Sequence, residues 1–372
     1  MSTSPSADTH LIDPAIDPFD GTDYRMVSLI GSGGMADVFV VEHRQLNMTY
    51  AAKLLRPSFA SDKRTVDRMR LEADTLARLD HENIVHIHAF HETAAGLPFI
   101  VMDLLQGKTL RDTLSEGGPG HITMPTALVF GLDLLNGLHA VHQLGIVHRD
   151  LKPSSLFIHF NKRKEHVLKL LDFGGARVIP GVSENSPDPL AIPTRTGTTV
   201  GTPMFMSPEA ASGRAIDVRT DIYAAANMLY LMITGRGPFD DEGDVDRVLH
   251  AHATKLPPPL SRFVTEPIPP ALERAIAKGL EKDPDHRFQS AEEFSQTIYD
   301  ILKDYQQAKT LGPSEAGGPM PSPPSQHLEQ TNAAARSRFG THVTQVSFVI
   351  AILTAAIALG LVVIRKFLGV SP

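Results

Sequence analysis

Short apolar runs broken by Gly, Pro and Asn fill residues 24–103. The segments 26–30, 38–42, 50–55, 84–90 and 99–102 read as β-strands. One segment departs from this. Over 63–79, Val66, Met69, Ala73 and Leu76 recur at helical spacing and predict an amphipathic helix. Beyond residue 110 the period changes, and 126–144, 220–234, 271–282 and 291–303 read as helices. The pattern predicts an α+β body, with a small β-rich lobe over 24–103 and a larger, mainly helical lobe over 104–305.

Three segments lie outside that body. Residues 1–23 are rich in Ser, Asp and Pro, lack the basic start and apolar core of a secretory signal, and are expected to be disordered. Residues 306–345 carry Gly317-Gly318-Pro319, Pro321 and Pro323-Pro324 in a polar filler, a composition that reads as a tether. The run 346–364 then holds no charge and ends at Arg365 and Lys366. As a helix it would span about 28 Å, close to the hydrocarbon thickness of a bilayer. A buried C-terminal helix should instead be amphipathic and follow the body closely. A single transmembrane helix is therefore expected, followed by a short tail, 365–372. Basic residues on both sides leave its orientation weakly determined by charge.

Composition narrows the chemistry. The 372 residues are 42% apolar and 21% charged, enough for a core, and the net charge is −7. An acidic chain makes a poor general nucleic-acid partner. The absence of cysteine excludes disulfides, thiolate metal sites and Cys nucleophiles, and fits a reducing compartment.

Several polar groups sit where apolar patterning should exclude them. Gly31-Ser32-Gly33-Gly34-Met35-Ala36-Asp37-Val38 lies between two strands, so its glycines suit a hairpin lid over phosphates rather than a loop opening into a helix. Lys53 interrupts an apolar strand, and Glu72 shares the apolar face of the 63–79 helix; together they suggest an ion pair. Asp150, in His148-Arg149-Asp150-Leu151-Lys152-Pro153, and Asp172, in Asp172-Phe173-Gly174, each follow an apolar run. Both carboxylates would face a cleft, one accepting a proton and the other holding a divalent ion. His81, His86, His88 and His91 are read as surface or packing groups, with no recognised ligand spacing.

With these motifs in this order, the chain resembles the eukaryotic-like protein kinases, most closely the bacterial serine/threonine branch, over about residues 24–302. Gly201-Thr202-Pro203, Ser207-Pro208-Glu209, Asp221 and Arg287 extend the likeness. The resemblance implies the two-lobed protein kinase fold, ATP and Mg2+ as cofactors (Mn2+ as an alternative ion), and protein Ser/Thr hydroxyls as substrates. It implies that Asp150 is the base, with Lys152, Lys53 and Glu72 as further catalytic residues and Asp172 as metal ligand. ATP would lie against Ile30, the lid 31–38, Ala51, Met102, and Asp103 and Leu105 in the hinge. Glu209 and Arg287 would pair, Asp221 would brace the catalytic loop, Thr202 would approach Asp150 and Lys152, and Leu76, His148 and Phe173 would stack, with Gly174 completing the metal-binding motif.

The likeness breaks at Ser155, which stands where the family carries the Asn that holds a second metal ion. Ser155 is expected to be a poorer ligand, leaving a degraded nucleotide-binding scaffold as the alternative function. Thr196, Thr198 and Thr199 are the expected phosphorylation sites, their phosphates pairing with Arg149, with a kinase dimer for trans-autophosphorylation. Since ATP is cytosolic, the body is expected on the cytoplasmic side of the cell membrane, with only about residues 367–372 beyond it.

Overall fold

The computed structural model describes residues 17–117, 122–161, 165–173, 176–178 and 203–310. Five antiparallel strands form the first sheet: β1 (Tyr24–Ser32), β2 (Ala36–His43), β3 (Thr49–Leu55), β4 (Ile87–Glu92) and β5 (Pro98–Met102), in the order β1-β2-β3-β5-β4. Between β3 and β4 come the short helix α1 (Pro57–Ala60) and α2 (Lys63–Leu76). The expected strand over 84–90 begins only at Ile87, because Ile84 and Val85 instead join the other lobe: Val85 donates its N–H to the Leu170 carbonyl at 2.9 Å.

The second lobe opens with β6 (Gly107–Thr109), α3 (Leu110–Gly117) and α4 (Met124–Gln143). Then come β7 (Ile146–Val147), β8 (Leu156–Phe160), β9 (His166–Leu170) and β10 (Arg177–Val178). It closes with α5 (Pro208–Ala211), α6 (Arg219–Thr234), α7 (Val245–Thr254), α8 (Pro270–Gly279) and α9 (Ala291–Thr310). Helix α6 is buried along its length from Thr220 to Thr234, which makes it the central post of this lobe. Gly131 of α4 permits its close approach, since a Cβ there would lie 2.4 Å from Leu229 Cδ2. Among the described residues, α4 alone is long and apolar enough to cross a membrane, with a mean hydropathy of 1.2. Ten of its residues, Leu134, Leu135 and Leu138 among them, are buried in the lobe, so its apolarity serves the core.

Two boundaries differ from the sequence expectation. The folded body starts before Tyr24: Phe19 is fully buried, packed edge-on against Phe39 (5.5 Å) and Phe99 (5.1 Å), and Asp17 accepts the Met26 N–H at 3.1 Å. An aromatic ring with a prepared pocket outweighs the disorder-like composition around it. At the other end α9 runs to Thr310, past the expected start of the tether. The run 346–364 and the tail 365–372 lie outside the described residues, as does most of the tether.

Candidate active site

The lid is the turn between β1 and β2, where Gly31 faces Val38 and Ser32 faces Asp37 across the ladder. Gly33 donates its N–H to the Ala36 carbonyl at 2.9 Å, and a Cβ on Gly33 would sit 3.0 Å from that oxygen, so a side chain would crowd the turn. Ile30 and Met35 are exposed. Ser32 and Asp37, expected among the nucleotide contacts, direct their side chains elsewhere. Ser32 Oγ donates to Asp37 Oδ1 at 2.5 Å, and Arg56 reaches Asp37 Oδ1 at 2.7 Å and Ser32 Oγ at 2.7 Å. Burial pushes the Asp37 carboxyl up, but bonds from Arg56 and Ser32 carry it below its usual range. This clamp fastens the base of the lid to the end of β3.

Strand register assembles the cleft wall. Val38 pairs with Lys53, and Ala51 with Met102, so Val38, Ala51, Lys53 and Met102 share one face of the sheet. Leu105 follows at the crossing to the second lobe and is half-buried. Asp103 donates its N–H to the His86 carbonyl at 3.0 Å, while its carboxylate meets His88 Nε2 at 2.8 Å. Its side chain therefore ties the hinge to β4, a pairing that the sequence spacing of the histidines did not reveal.

Lys53 Nζ reaches both Glu72 oxygens, at 2.8 and 3.0 Å, and Asp172 Oδ1 at 3.1 Å. Burial alone would lower the Lys53 ammonium, but the Glu72 and Asp172 charges carry it above its usual range. Burial likewise raises the Glu72 carboxyl, which Lys53 opposes. The Asp172 side chain remains 40% exposed, which keeps a carboxylate edge accessible from the cleft. That donor set fits a nucleotide with a divalent ion: one ammonium for phosphate oxygens and one hard oxygen donor for the cation.

Asp150 follows β7, and Lys152 Nζ donates to its Oδ2. The loop that carries them is held from beneath. Buried Asp221, in the first turn of α6, accepts the backbone N–H groups of His148 (2.8 Å) and Arg149 (2.9 Å), and His142 Nε2 lies 2.8 Å from the same carboxylate. Burial would raise the Asp221 carboxyl, yet these bonds hold it below its usual range. The His148 ring packs on Phe173 at 4.6 Å with burial lowering its basicity, and Leu76 is fully buried in the same core.

Ser155 has a structural role that its place in the sequence did not announce. Its hydroxyl folds back on its own turn, donating to the Lys152 carbonyl at 2.8 Å and accepting the Lys152 N–H at 3.1 Å, and it is fully buried. A hydroxyl has one proton, so closing this turn uses its donor, and one of its two lone pairs takes the Lys152 N–H. Ser155 therefore caps the turn at 152–155. Its carbonyl accepts the Leu171 N–H at 3.0 Å, which sets that loop beside Asp172.

The expected structural pair is present. Arg287 reaches Glu209 at 2.7 and 2.8 Å, and its remaining donors go to the carbonyls of Arg219, Glu281 and Lys282. Burial pushes the Glu209 carboxyl up, but Arg287 and Thr220 hold it below its usual range. Gly174, Thr196, Thr198, Thr199 and Thr202 lie outside the described residues. Arg56 and His142 escaped the sequence reading. Each is a charged or titratable group at the edge of an apolar run, a pattern common to many surface residues.

Comparison with known proteins agrees with this geometry. The family model for the protein kinase domain matches residues 24–299. The chain is similar to serine/threonine-protein kinase pkn3 of Myxococcus xanthus, 35% identical over 281 residues, covering 76% of this chain and 50% of that protein. It is also similar to serine/threonine-protein kinase PknB of Mycolicibacterium smegmatis, 31% identical over 335 residues, covering 84% and 51%. The chain thus spans about half the length of these relatives. Among solved structures, the PknI kinase domain of Mycobacterium tuberculosis superposes with a TM-score of 0.56 at 25% identity, covering 75% of this chain and 96% of that one.

Proposed function

This chain belongs to the protein kinase domain family, and we propose that it transfers the γ-phosphate of ATP to serine and threonine hydroxyls of proteins. The observation that carries the reading is Lys53 held between Glu72 and Asp172, in the same fold as the Asp150–Lys152 pair. Lys53 binds phosphate oxygens with its charge fixed by Glu72. Asp172 would hold the divalent ion, Mg2+ or Mn2+, which when bound would neutralise charge on the phosphates. Asp150 orients the acceptor hydroxyl and takes its proton, and Lys152 offsets negative charge beside it. The scaffold alternative finds no support among the similar proteins, which are named as serine/threonine-protein kinases.

The test is incubation of the full chain with Mg-ATP and a basic protein, read by mass spectrometry. Phosphoserine or phosphothreonine that disappears in Asp150→Asn is the expected result; an equal signal from that variant would overturn the assignment. The same experiment reads autophosphorylation. Phosphate on Thr196, Thr198 or Thr199 is expected, with Arg149, directly before Asp150, as its partner. Supported by the uncharged run 346–364, the protein is further proposed to be tethered to the cell membrane with the kinase body in the cytoplasm. Deletion of 346–372 should then release it from membranes, and continued co-sedimentation would argue against the tether.

A further inference from the structure

Behind the hinge, on the side of the first sheet turned away from the cleft, lies a cavity of about 400 Å³. That volume falls in the range of ligand pockets, about 300–1,000 Å³. Ala51 and Met102 face the cleft, so alternation sends Tyr50 to the opposite side, where its ring meets His88 at 4.9 Å. Met48, Tyr50 and His88 line the cavity from the first lobe, and Val167 and Lys169 line it from the second. Asp103 and Leu104 of the hinge lie between them, and Glu82 contributes from the segment that links α2 to β4.

The charge of this cavity is one-sided. Lys169 turns its ammonium onto backbone, donating to the carbonyls of Glu82 (2.6 Å) and Ile84 (3.3 Å). Burial lowers its basicity against the charges of Asp103, Glu82, Asp80 and Asp133. Four carboxylates thus act on one ammonium, and two of its three donors are already engaged. Among the described residues, neither Asp80 nor Glu82 has an ion-pair partner, and Asp103 pairs only with His88. The surplus is negative, which favours a cation over an anion as occupant. Beside it the surface is apolar: Met48 is 54% exposed, and Leu46, in the same turn between β2 and β3, is 60% exposed. An exposed methionine is an adaptable contact for aliphatic side chains.

We propose that this cavity is a docking site for a basic peptide segment of a protein substrate. An arginine or lysine side chain would lie beside Glu82 and Asp103, with an aliphatic neighbour against Met48 and Leu104. This rests on the kinase reading above, from which the protein substrates follow. The segment would bind across the hinge from the nucleotide, so an occupied cleft does not exclude it. The carboxylates steer the encounter, and the apolar contact adds affinity.

The test is fluorescence anisotropy of the full chain with a labelled hexapeptide of two arginines, two leucines and two alanines, which carries no acceptor hydroxyl. Binding is expected with and without a saturating non-hydrolysable ATP analogue. Glu82→Gln and Met48→Ser should each weaken it about two- to fivefold, and Glu82→Lys should weaken it further. Peptides with glutamates for the arginines, or glycines for the leucines, should bind more weakly. Equal binding of either peptide, unchanged binding in Glu82→Lys, or displacement by the ATP analogue would overturn the proposal. In phosphorylation assays, Glu82→Lys should raise KM for a basic protein while KM for ATP stays within about twofold. Unchanged KM for the protein would remove the substrate role. A wild-type chain without any phosphotransfer would instead refute the kinase reading, and the anisotropy measurement, which needs no turnover, would still decide whether the cavity takes a basic peptide.

Discussion

Asp221 holds Arg149 in a backbone conformation that few non-glycine residues adopt. Arg149 has φ 67°, in the left-handed region, and its N–H is bonded to Asp221 Oδ1 at 2.9 Å. Such a conformation costs on the order of 1–3 kcal/mol and persists only when its surroundings impose it. Here the imposing group is a buried carboxylate rooted in the central helix, and the residue so strained immediately precedes the proposed base.

Asp221→Asn should therefore damage the site more than the fold. An amide has one acceptor oxygen where two backbone N–H groups and His142 need a carboxylate. The expected loss is about 1–3 kcal/mol of stability and at least about tenfold in turnover, as Arg149 relaxes and Asp150 shifts with it. Thermal melting and initial rates check this; a melting loss with turnover intact would detach the brace from catalysis.

Lys53→Met should abolish phosphotransfer and also destabilise, because it leaves the Glu72 carboxylate buried without its partner. Breaking a buried pair costs about 3 kcal/mol. Adding Glu72→Gln should return most of that stability and none of the activity. Recovery of turnover in the double variant would remove Lys53 from the mechanism.

Ser155→Ala tests the cap against the metal role. It strips the Lys152 carbonyl of its hydroxyl donor, at a cost of about 1–3 kcal/mol in a buried turn. Turnover should fall while the free Mg2+ concentration for half-maximal rate stays where it was. A shift of that concentration with turnover otherwise preserved would mean that the hydroxyl does serve the ion.

Half-buried Asp133 and buried His252 give opposed pH dependences of stability. Burial holds the Asp133 carboxyl up to about 6, so its contribution is complete below its ordinary value near ~4 and is lost as pH rises through 6. Burial lowers His252 to about 4, so its contribution is present above about 6.5 and is lost as pH falls toward 4. Denaturant unfolding between pH 4 and 6.5 should show a steeper acid loss in Asp133→Asn. In His252→Phe the acid loss should shrink or reverse. Parallel profiles in all three proteins would mean that neither group differs between folded and unfolded chains.

What the sequence determined by itself was the longer elements and the candidate reactive groups. Strand and helix periods are local, so β1 to β3, β5 and α2 were legible from alternation and spacing. Lys53 and Glu72 stood out because a charge on an apolar face needs a partner, and the partner was there at 2.8 Å. Tertiary structure decided the rest. Ser155 looked like a deficient ligand, and only its distances to Lys152 reveal a cap. Asp37 and Ser32 read as lid residues facing phosphate until Arg56 was found to bind both. Phe19, in a Pro- and Asp-rich segment, is core because Phe39 and Phe99 leave room for one ring. The hydrogen bonds that link Lys282, Tyr223, His252 and the Met204 carbonyl join positions 29 to 59 residues apart. Hydrogen bonds act over about 3 Å and with direction, so a pattern of residue types can name a donor or acceptor, but the packing of distant elements chooses its partner.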